Sequence, residues 1–376
     1  MNVKDIINKL YNTSMASYEE LLFLLDNIST EDKKYLIEKS HDVSLKNYSN
    51  NVFIRGLIEF TNYCIRDCKY CGIRKSNDKA DRYRLTLDEI LECADIGDKL
   101  GYKTFVLQGG EDPYFTDEKM VEIITNLKNK YPNNAITLSL GERSYKSYEK
   151  MFKAGADRYL LRHETANKML YESLHPNSSF ENRRKCLENL KKIGYQIGAG
   201  FMVGLPNQNN NDLVDDLLYL KELNPHMCGI GPFIPHIDTP LANECGGTVE
   251  KTITMLALIR LILPKALLPA TTALGSIDPL GREKGLKAGG NVVMPNLSPT
   301  SVREKYSLYK GKICSGDEAA ECRDCIEKRI NNAGFKLKVD RGDSLVLSER
   351  ERNLIYKNIK IKNNVEVNLN NITLVK

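Results

Sequence analysis

Eight short apolar runs alternate with helical patterns along most of this chain of 376 residues. The apolar runs cover residues 53–60, 104–108, 135–140, 158–162, 198–203, 228–234, 267–272 and 291–295. Apolar residues recur at helical spacing between them, over 86–100, 117–131, 145–154, 180–193, 211–223, 248–263 and 281–288. Alternation of this kind predicts a parallel sheet with crossover helices. Eight repeats predict a closed (β/α)8 barrel of the TIM type, an α/β fold.

The two ends of the chain lie outside this repeat. Residues 1–50 are expected to form an N-terminal helical extension, because Ser17 is a capping residue that precedes apolar positions at helical spacing. The barrel is expected over 51–300, and a cysteine-bearing C-terminal segment over 301–349. Residues 350–376 form a tail to which the sequence gives no role.

The bulk composition disfavours several classes of protein. The net charge of +5 is spread along the chain without a dense basic stripe, so nucleic acid is not an expected partner. No signal peptide is apparent, and the most apolar long segment, 252–275, is broken by Arg260, Lys265 and two prolines, so no membrane span is expected. Ten cysteines without a secretion signal then favour a cytoplasmic protein that uses cysteine for metal ligation.

Cys64, Cys68 and Cys71 follow the first apolar run with the spacing C-x3-C-x2-C. Three closely spaced thiolates can hold three irons of a [4Fe–4S] cluster and leave the fourth iron open to a ligand. A zinc site is the alternative. Zinc usually takes four ligands in a closed site, however, and the nearest histidine, His41, is upstream and isolated. The pattern therefore favours a cluster that binds a substrate or a cofactor.

Polar residues also gather at the predicted C-terminal ends of strands, where barrels of this type place their chemistry. By the two-residue period, Thr137 and Ser139 share one face of the third strand, and Arg158, Arg162 and Glu164 share one face of the fourth. If these faces point inwards, the barrel carries two guanidinium groups, and a buried Arg is costly unless it meets an anion. The anion is either a bound ligand or a barrel carboxylate such as Glu164.

Several motifs together resemble the radical S-adenosylmethionine (SAM) superfamily. They are the cysteine triad, with Tyr70 before its last member, and the run Gln108-Gly-Gly-Glu111. Within the superfamily, the chain resembles the HydE family of [FeFe]-hydrogenase maturases over about residues 15–345. The resemblance lies in the runs 160–166, 180–183, 198–200, 202–206, 213–217, 229–236, 238–242, 269–273 and 291–296.

This resemblance implies a role for each matching residue. The three cysteines of the loop would ligate the cluster, whose open iron would chelate the amino and carboxylate groups of SAM. Glu111 would lie at the methionine amino end, Arg183 would face the methionine carboxylate, and Glu164 would contact the ribose. A solvated helix charge is the alternative interpretation of Arg183. The complete set of implied cofactor-binding residues is Tyr70, Gly109, Gly110, Glu111, Glu164, Arg183, Met202 and Ile230.

The implied reaction is the reductive cleavage of SAM to methionine and a 5′-deoxyadenosyl radical. In the HydE family, the radical acts on an anionic iron species with carbonyl, cyanide and cysteine ligands during maturation of the hydrogenase H-cluster. The expected partners are this small iron complex, an electron donor of the flavodoxin or ferredoxin type, and other hydrogenase maturation proteins. The expected substrate-cavity residues are Thr137, Ser139, Arg158, Arg162, Thr271, Thr272 and Tyr306.

A second cysteine group lies after the last predicted strand. Cys314, Cys322 and Cys325 lack an obvious fourth ligand and could hold a second iron–sulfur cluster, whereas a zinc site or unligated thiols are the alternatives. The spacing resembles the accessory-cluster motif of many HydE proteins. The resemblance implies a peripheral role, because the radical step of the family does not require this cluster.

Two other functions stay open at this stage. A related radical SAM enzyme that acts on a small organic molecule, such as the methylornithine-forming mutase, shares much of this pattern. Biotin synthase is disfavoured, because its second cluster needs cysteines on inner strand positions, where this chain has Leu140, Arg162 and Met202. A non-catalytic iron–sulfur carrier is the more distant alternative, and it would not cleave SAM.

Overall fold

The computed structural model of the chain describes residues 1–313, 316 and 319–355. Its helices are α1 (Val3–Thr13), α2 (Tyr18–Asn27), α3 (Thr30–Tyr48), α4 (Leu87–Lys99), α5 (Asp117–Lys130), α6 (Tyr145–Ala154), α7 (Lys168–Leu174), α8 (Phe180–Ile193), α9 (Asn210–Leu223), α10 (Val249–Ile262), α11 (Thr272–Ile277), α12 (Gly281–Lys287), α13 (Thr300–Arg303) and α14 (Ala319–Asn332). Its strands are β1 (Asn51–Ile54), β2 (Gly56–Thr61), β3 (Thr104–Gly109), β4 (Ala135–Ser139), β5 (Arg158–Leu160), β6 (Gln196–Ala199), β7 (Met202–Val203), β8 (Met227–Cys228), β9 (Gly231–Pro232), β10 (Val292–Val293) and β11 (Lys336–Lys338). Within these described ranges, no helix combines the length and apolarity needed to cross a membrane.

Parallel strands close into a ring. Six of them pair in the order β2-β3-β4-β5-β6-β8. Single parallel bridges continue the ring from β8 to Leu267, from Pro269 to β10, and from Asn296 back to β2. β10 also pairs with β1, which is the segment that leads into β2. The predicted (β/α)8 barrel is therefore confirmed.

Several barrel strands are shorter or more broken than the sequence pattern predicts. The first is interrupted at Arg55, between β1 and β2. The fifth breaks at Gly200, whose φ is +148° and where a Cβ atom would lie 1.9 Å from the Gly229 carbonyl oxygen. The seventh predicted strand pairs with its neighbours in the barrel through single β-bridges only. Its predicted extension to Thr272 is wrong, because Thr271 is the N-cap of α11.

The N-terminal helices form an outer layer against the barrel. Ser17 caps α2 in a capping box with Glu20. α3 packs on α10, whose residues 252–262 are all buried. The Ser40 hydroxyl also donates to the Ala288 carbonyl at 2.7 Å. A barrel helix that is normally amphipathic is therefore apolar on both faces here, because its outer face meets another helix.

The C-terminal segment closes the N-terminal end of the barrel. β11 pairs with β1, and the chain then passes beneath the strands. Arg158 donates from Nη2 to the Asp343 carboxylate at 2.7 Å, and Gln196 donates to the same oxygen at 2.8 Å. Arg341 donates to Asp157 at 2.8 Å. We call this largely buried group of Arg158, Asp343, Arg341 and Asp157 the ionic plug. It fills the N-terminal end of the barrel, so a functional site is expected at the opposite end, where the strands finish.

Candidate functional site

The cysteine loop leaves β2 at the C-terminal end of the barrel. Cys64, Cys68 and Cys71 are all half-buried. Cys64 Sγ accepts hydrogen bonds from the backbone N–H groups of Arg66 and Glu111, each at 3.4 Å. Hydrogen bonds to ligand sulfurs are one means by which proteins tune iron–sulfur clusters. The loop thus supplies both the sulfurs and the polar support that a cluster needs.

The three thiols affect one another electrostatically. Burial, followed by the charge of Cys64, raises the pKa of Cys71 to about 12. Burial and the charges of Cys71 and Cys64 also raise the pKa of Cys68. The protein alone therefore keeps these thiols protonated at neutral pH, whereas coordination to a metal deprotonates a thiol outright. Such a group of sulfurs suits a metal centre and disfavours a free nucleophile.

The spacing of the side chains bears on the zinc alternative. Within residues 1–313, 316 and 319–355, no three His, Cys, Asp or Glu side chains converge closely enough to hold a single metal ion. A zinc site requires that convergence. In a cluster, each thiolate binds its own iron, so wider spacing is compatible. Three cysteine sulfurs suit a [4Fe–4S] cluster whose fourth iron stays open to another ligand.

The glycine-rich run after β3 lies directly against the cysteine loop. A Cβ atom at Gly110 would lie 2.1 Å from the Tyr63 carbonyl oxygen, so only glycine allows this approach. The Ile65 N–H donates to the Glu111 carbonyl at 2.9 Å. The structure thus brings Glu111 and the predicted cluster ligands together.

A network of buried charges surrounds Glu111. Two of its members, Arg66 and Glu142, were not among the site residues predicted from the sequence. Arg66 lies 2.6 Å from Glu111 and 3.0 Å from Glu142, and Arg183 lies 2.7 Å from Glu142. Arg183 is only 7% exposed, so it is not a solvated helix charge. Burial opposes ionisation of Glu142, but Arg183 and Arg66 outweigh burial and lower its pKa. The sequence signal that could have identified Glu142 as a site residue is its position just after the predicted strand over 135–140.

Glu164 follows β5 in a strained backbone conformation. Its φ of +67° is unusual for a residue other than glycine. Its N–H donates to the Gly200 carbonyl at 3.0 Å, and its own carbonyl accepts from the Met202 N–H at 3.1 Å. Arg162 pairs with its carboxylate at 2.9 Å. Of the two interpretations of Arg162, the structure thus shows pairing with a barrel carboxylate.

A small apolar cluster lies beside Glu164. Its members are Tyr70, Leu170, Leu174, Met202, Leu205, Phe233 and Leu241. Tyr70 and Met202, two predicted cofactor-binding residues, therefore lie in one cluster. Ile230 belongs to the main core instead. Met202 nevertheless pairs with Gly231, the residue that follows Ile230, so the cofactor-binding role of Ile230 stays a prediction.

The predicted substrate residues differ in how their polar atoms are engaged. The hydroxyl oxygens of Thr137 and Thr271 are buried without a hydrogen-bond partner among the described residues. Thr272 Oγ1 accepts from Arg282 at 3.2 Å. The Tyr306 hydroxyl accepts from Gln108 Nε2 at 3.4 Å. Ser139 ends β4 and is half-buried.

The predicted place of Arg158 in the substrate cavity needs correction. Arg158 begins β5, whereas Arg162 lies four residues further along, or about 13 Å at the usual rise of a strand. Arg158 Nη1 donates to the Thr104 hydroxyl at 3.0 Å, and Asp343 neutralises the charge of Arg158. The shared face was predicted from the two-residue period, but the period does not give depth along the barrel.

Of the second cysteine group, Cys314 lies outside the described residues. Cys322 is buried and Cys325 is exposed, three residues apart on α14. The accessory cluster at these three residues therefore stays a prediction.

Comparisons with known proteins agree with this geometry. Residues 58–220 match the family model of the Radical SAM superfamily. The chain is 49% identical over 316 residues to the [FeFe] hydrogenase maturase subunit HydE of Thermotoga maritima, covering 83% of this chain and 90% of that protein. It is 30% identical over 330 residues to the 3-methylornithine synthase of Methanosarcina acetivorans, covering 87% of this chain and 92% of that protein. The crystal structure of methylornithine synthase (PylB) matches with a TM-score of 0.78 and 26% identity, covering 89% of this chain and 97% of that one.

The matched proteins are each covered over most of their length, and the residues that match the family model include the cysteine loop. Radical SAM proteins use a [4Fe–4S] cluster and SAM, and the donors assembled at the end of this barrel fit both groups. The chain therefore belongs to the radical SAM superfamily of enzymes and, within it, to the family of the [FeFe]-hydrogenase maturase HydE.

Proposed function

We propose that this chain acts in maturation of the [FeFe]-hydrogenase H-cluster as a HydE-type radical SAM enzyme. The radical would act on an anionic iron–carbonyl–cyanide–cysteine precursor inside the barrel. The observation that carries this proposal is the 49% identity to the Thermotoga HydE over 90% of its length. Formation of a methylornithine-like product is the second candidate, because the synthase is matched at 30% identity over 92% of its length.

Cys64, Cys68 and Cys71 are the proposed cluster ligands. A cluster held by these three cysteines would supply, when bound, the electron for reductive cleavage of SAM to methionine and a 5′-deoxyadenosyl radical. The backbone N–H groups on Cys64 Sγ would stabilise the negative charge of the ligated sulfur. The proposed electron donor is a flavodoxin or a ferredoxin.

The charges around the loop support a site for the methionine end of SAM. The Glu111 carboxylate is held by Arg66 and by the backbone N–H of Glu142, so it presents a fixed acceptor. An ionised carboxylate has lone pairs left for an ammonium group. Arg183 is fixed by Glu142 in turn, and we assign it to the methionine carboxylate. Gly109 and Gly110 would allow the backbone to approach the ligand closely.

The remaining polar groups support a place for an anion. Thr137 and Thr271 have buried hydroxyls without partners in the part of the chain that the structure describes, and a buried unpaired hydroxyl is costly. A bound anion would use both as donors. Arg162 would add positive charge, because the half-exposed guanidinium can contact a ligand while it pairs with Glu164.

The proposed function is tested by anaerobic reconstitution, reduction, and chromatography of the SAM products. The wild type should release methionine and 5′-deoxyadenosine, and the C64A/C68A/C71A variant should release neither. An iron–carbonyl–cyanide–cysteine complex should then be consumed, either with the 5′-deoxyadenosyl group bonded to its sulfur or with one of its hydrogens transferred to the radical to form 5′-deoxyadenosine, whereas free amino acids should be unchanged. Conversion of an amino acid instead would establish the second candidate. Absence of SAM cleavage by a fully loaded protein would contradict both.

A further inference from the structure

His175 lies beneath the cysteine loop as the C-cap of α7. Its side chain is 1% exposed, and both of its ring nitrogens are engaged. Nδ1 lies 2.7 Å from the carbonyl oxygen of Tyr171, and Nε2 lies 2.9 Å from the hydroxyl of Tyr70. No role in the reaction follows for this histidine from the sequence motifs.

The two contacts determine which atom donates in each. A carbonyl oxygen can only accept, so His175 Nδ1 must carry the proton and donate to Tyr171. A neutral imidazole has one N–H group, so Nε2 accepts and the Tyr70 hydroxyl donates. Burial, followed by the charge of Arg183, lowers the pKa of His175 to about 3, so the ring stays neutral at physiological pH. The Tyr70 hydroxyl thus has one defined acceptor.

His175 also joins two parts of the site. Its ring stacks on the ring of Tyr171, with centroids 4.1 Å apart and an interplanar angle of 23°. The Tyr171 hydroxyl in turn accepts from Arg183 Nε at 3.2 Å. A continuous series of contacts therefore runs from Tyr70, between two cysteines of the loop, to Arg183 in the charge network.

Tyr70 needs such an anchor because its ring forms one wall of a partly open apolar cluster. It is half-buried and packs in the same cluster as Met202. The backbone beside it is already held, since the Lys69 N–H donates to the Leu174 carbonyl at 2.9 Å. The hydroxyl hydrogen bond fixes the remaining side-chain torsions, so less conformational entropy is lost when a ligand packs on the ring.

We propose that His175 is a positioning residue for SAM. It fixes the ring of Tyr70 in the apolar cluster with Met202, where we place the adenosine of SAM, and through Tyr171 it connects this cluster to Arg183 at the methionine end. The inference rests on the proposed function, because it takes Tyr70, Met202 and Arg183 as SAM-binding residues.

The test is a double-mutant cycle on SAM affinity. H175F keeps an aromatic ring for the stack on Tyr171 but removes the acceptor, and we expect it to weaken SAM binding about three- to tenfold, the worth of one hydrogen bond. H175Q places an amide oxygen near the position of Nε2 and should restore binding to within about twofold. Equilibrium binding is measured on cluster-loaded protein with matched iron content, and the thermal midpoint of the cluster-free protein reports folding separately.

The decisive comparison is made in the Y70F background. If His175 acts through the hydroxyl of Tyr70, Y70F/H175F binds SAM as Y70F does. H226F is the control, since His226 is a partly buried histidine that accepts from the Ile197 N–H through its ring, but lies near the plugged end of the barrel. An H175F variant with wild-type affinity, or a loss that persists in the Y70F background, would overturn the inference. A wild type that binds no SAM would overturn the proposed function as well.

Discussion

Arg66 joins the cysteine loop to the glycine-rich run, with 2.6 Å between its Nε and Oε2 of Glu111. It lies two residues after Cys64, and the backbone of Glu111 donates to the sulfur of that same cysteine. The second arm of Arg66 reaches Glu142, which also holds Arg183. One guanidinium thus contacts the carboxylate proposed to bind the methionine amino group and, through Glu142, the arginine proposed to bind the methionine carboxylate.

We expect R66M to weaken both the fold and the site. The substitution leaves Glu111 and Glu142 close together without a shared cation, and loss of one partner of a mostly buried ion pair should cost about 2–3 kcal/mol. Urea unfolding of the cluster-free protein measures the stability, and equilibrium binding measures SAM affinity, which should fall at least tenfold. K34M is the control, because the Lys34–Glu31 pair is exposed and its loss should be nearly neutral. Unchanged stability and affinity in R66M would contradict this account.

A second prediction concerns the plug at the N-terminal end of the barrel. The side chains of Arg158 and Asp343 are 0% and 2% exposed, so D343L would leave a buried guanidinium without its counter-charge. We expect a loss of about 3–5 kcal/mol in the free energy of unfolding, measured with urea. Iron content and SAM affinity of the protein that remains folded should be unchanged, because the plug lies opposite the cysteine loop. A parallel loss of SAM affinity would show that the two ends are coupled.

The plug also predicts how stability depends on pH. Burial opposes ionisation of Asp343 and of Asp157, but the neighbouring cations outweigh it and lower the pKa of both. A carboxyl whose pKa is lower in the folded state contributes its full stabilisation above the ordinary pKa of Asp, about 3.9; this contribution begins to fade near that value and is lost as the pH falls through the lower folded-state pKa. Urea midpoints should therefore begin to drop below about pH 5 and continue to fall until the pH passes the lowered folded-state pKa values, and D343N should show a smaller drop. The C64A/C68A/C71A background removes acid loss of the cluster from the comparison.

The sequence predicted the repeat and the loop better than it predicted the depth of side chains in the barrel. Apolar alternation located the strands, because a parallel strand buried on both faces must be apolar. The same pattern could not distinguish the layer of Arg158 from that of Arg162, since both share one face. The sequence pattern also could not predict the role of Asp343, because its pairing with Arg158 joins residues far apart in the chain. Charge networks of this kind depend on tertiary contacts that no local motif records.

The second cysteine group leads to a prediction about cluster content. Replacing Cys314, Cys322 and Cys325 with Ala should lower the iron and sulfide content by the amount of one cluster. Reductive cleavage of SAM should persist, because the proposed radical step uses the loop of Cys64. Iron analysis and product chromatography on the same samples test both halves. Loss of SAM cleavage at an intact first cluster would assign the second group a direct role.

The last prediction separates binding from folding at the two unpaired hydroxyls. Thr137 and Thr271 have no hydrogen-bond partner among the described residues, so replacing either with the near-isosteric Val removes a buried unsatisfied group. We expect T137V and T271V to leave the protein as stable as the wild type or more stable by up to about 1 kcal/mol. If a bound anion uses these hydroxyls, both variants should nevertheless turn over the iron complex at least tenfold more slowly.

T104V is the matched control for that experiment. The Thr104 hydroxyl accepts from Arg158 and donates to the Arg341 carbonyl, so its removal should cost about 1–3 kcal/mol of stability without slowing turnover. SAM cleavage without the iron complex should be equal in all three variants and the wild type. T137V and T271V would then be stable but slow, whereas T104V would be less stable but would turn over normally. This contrast is expected only if the hydroxyls of Thr137 and Thr271 bind a ligand. Normal turnover in T137V and T271V would exclude both from the substrate site, because their change in stability would then report only the loss of an unsatisfied group.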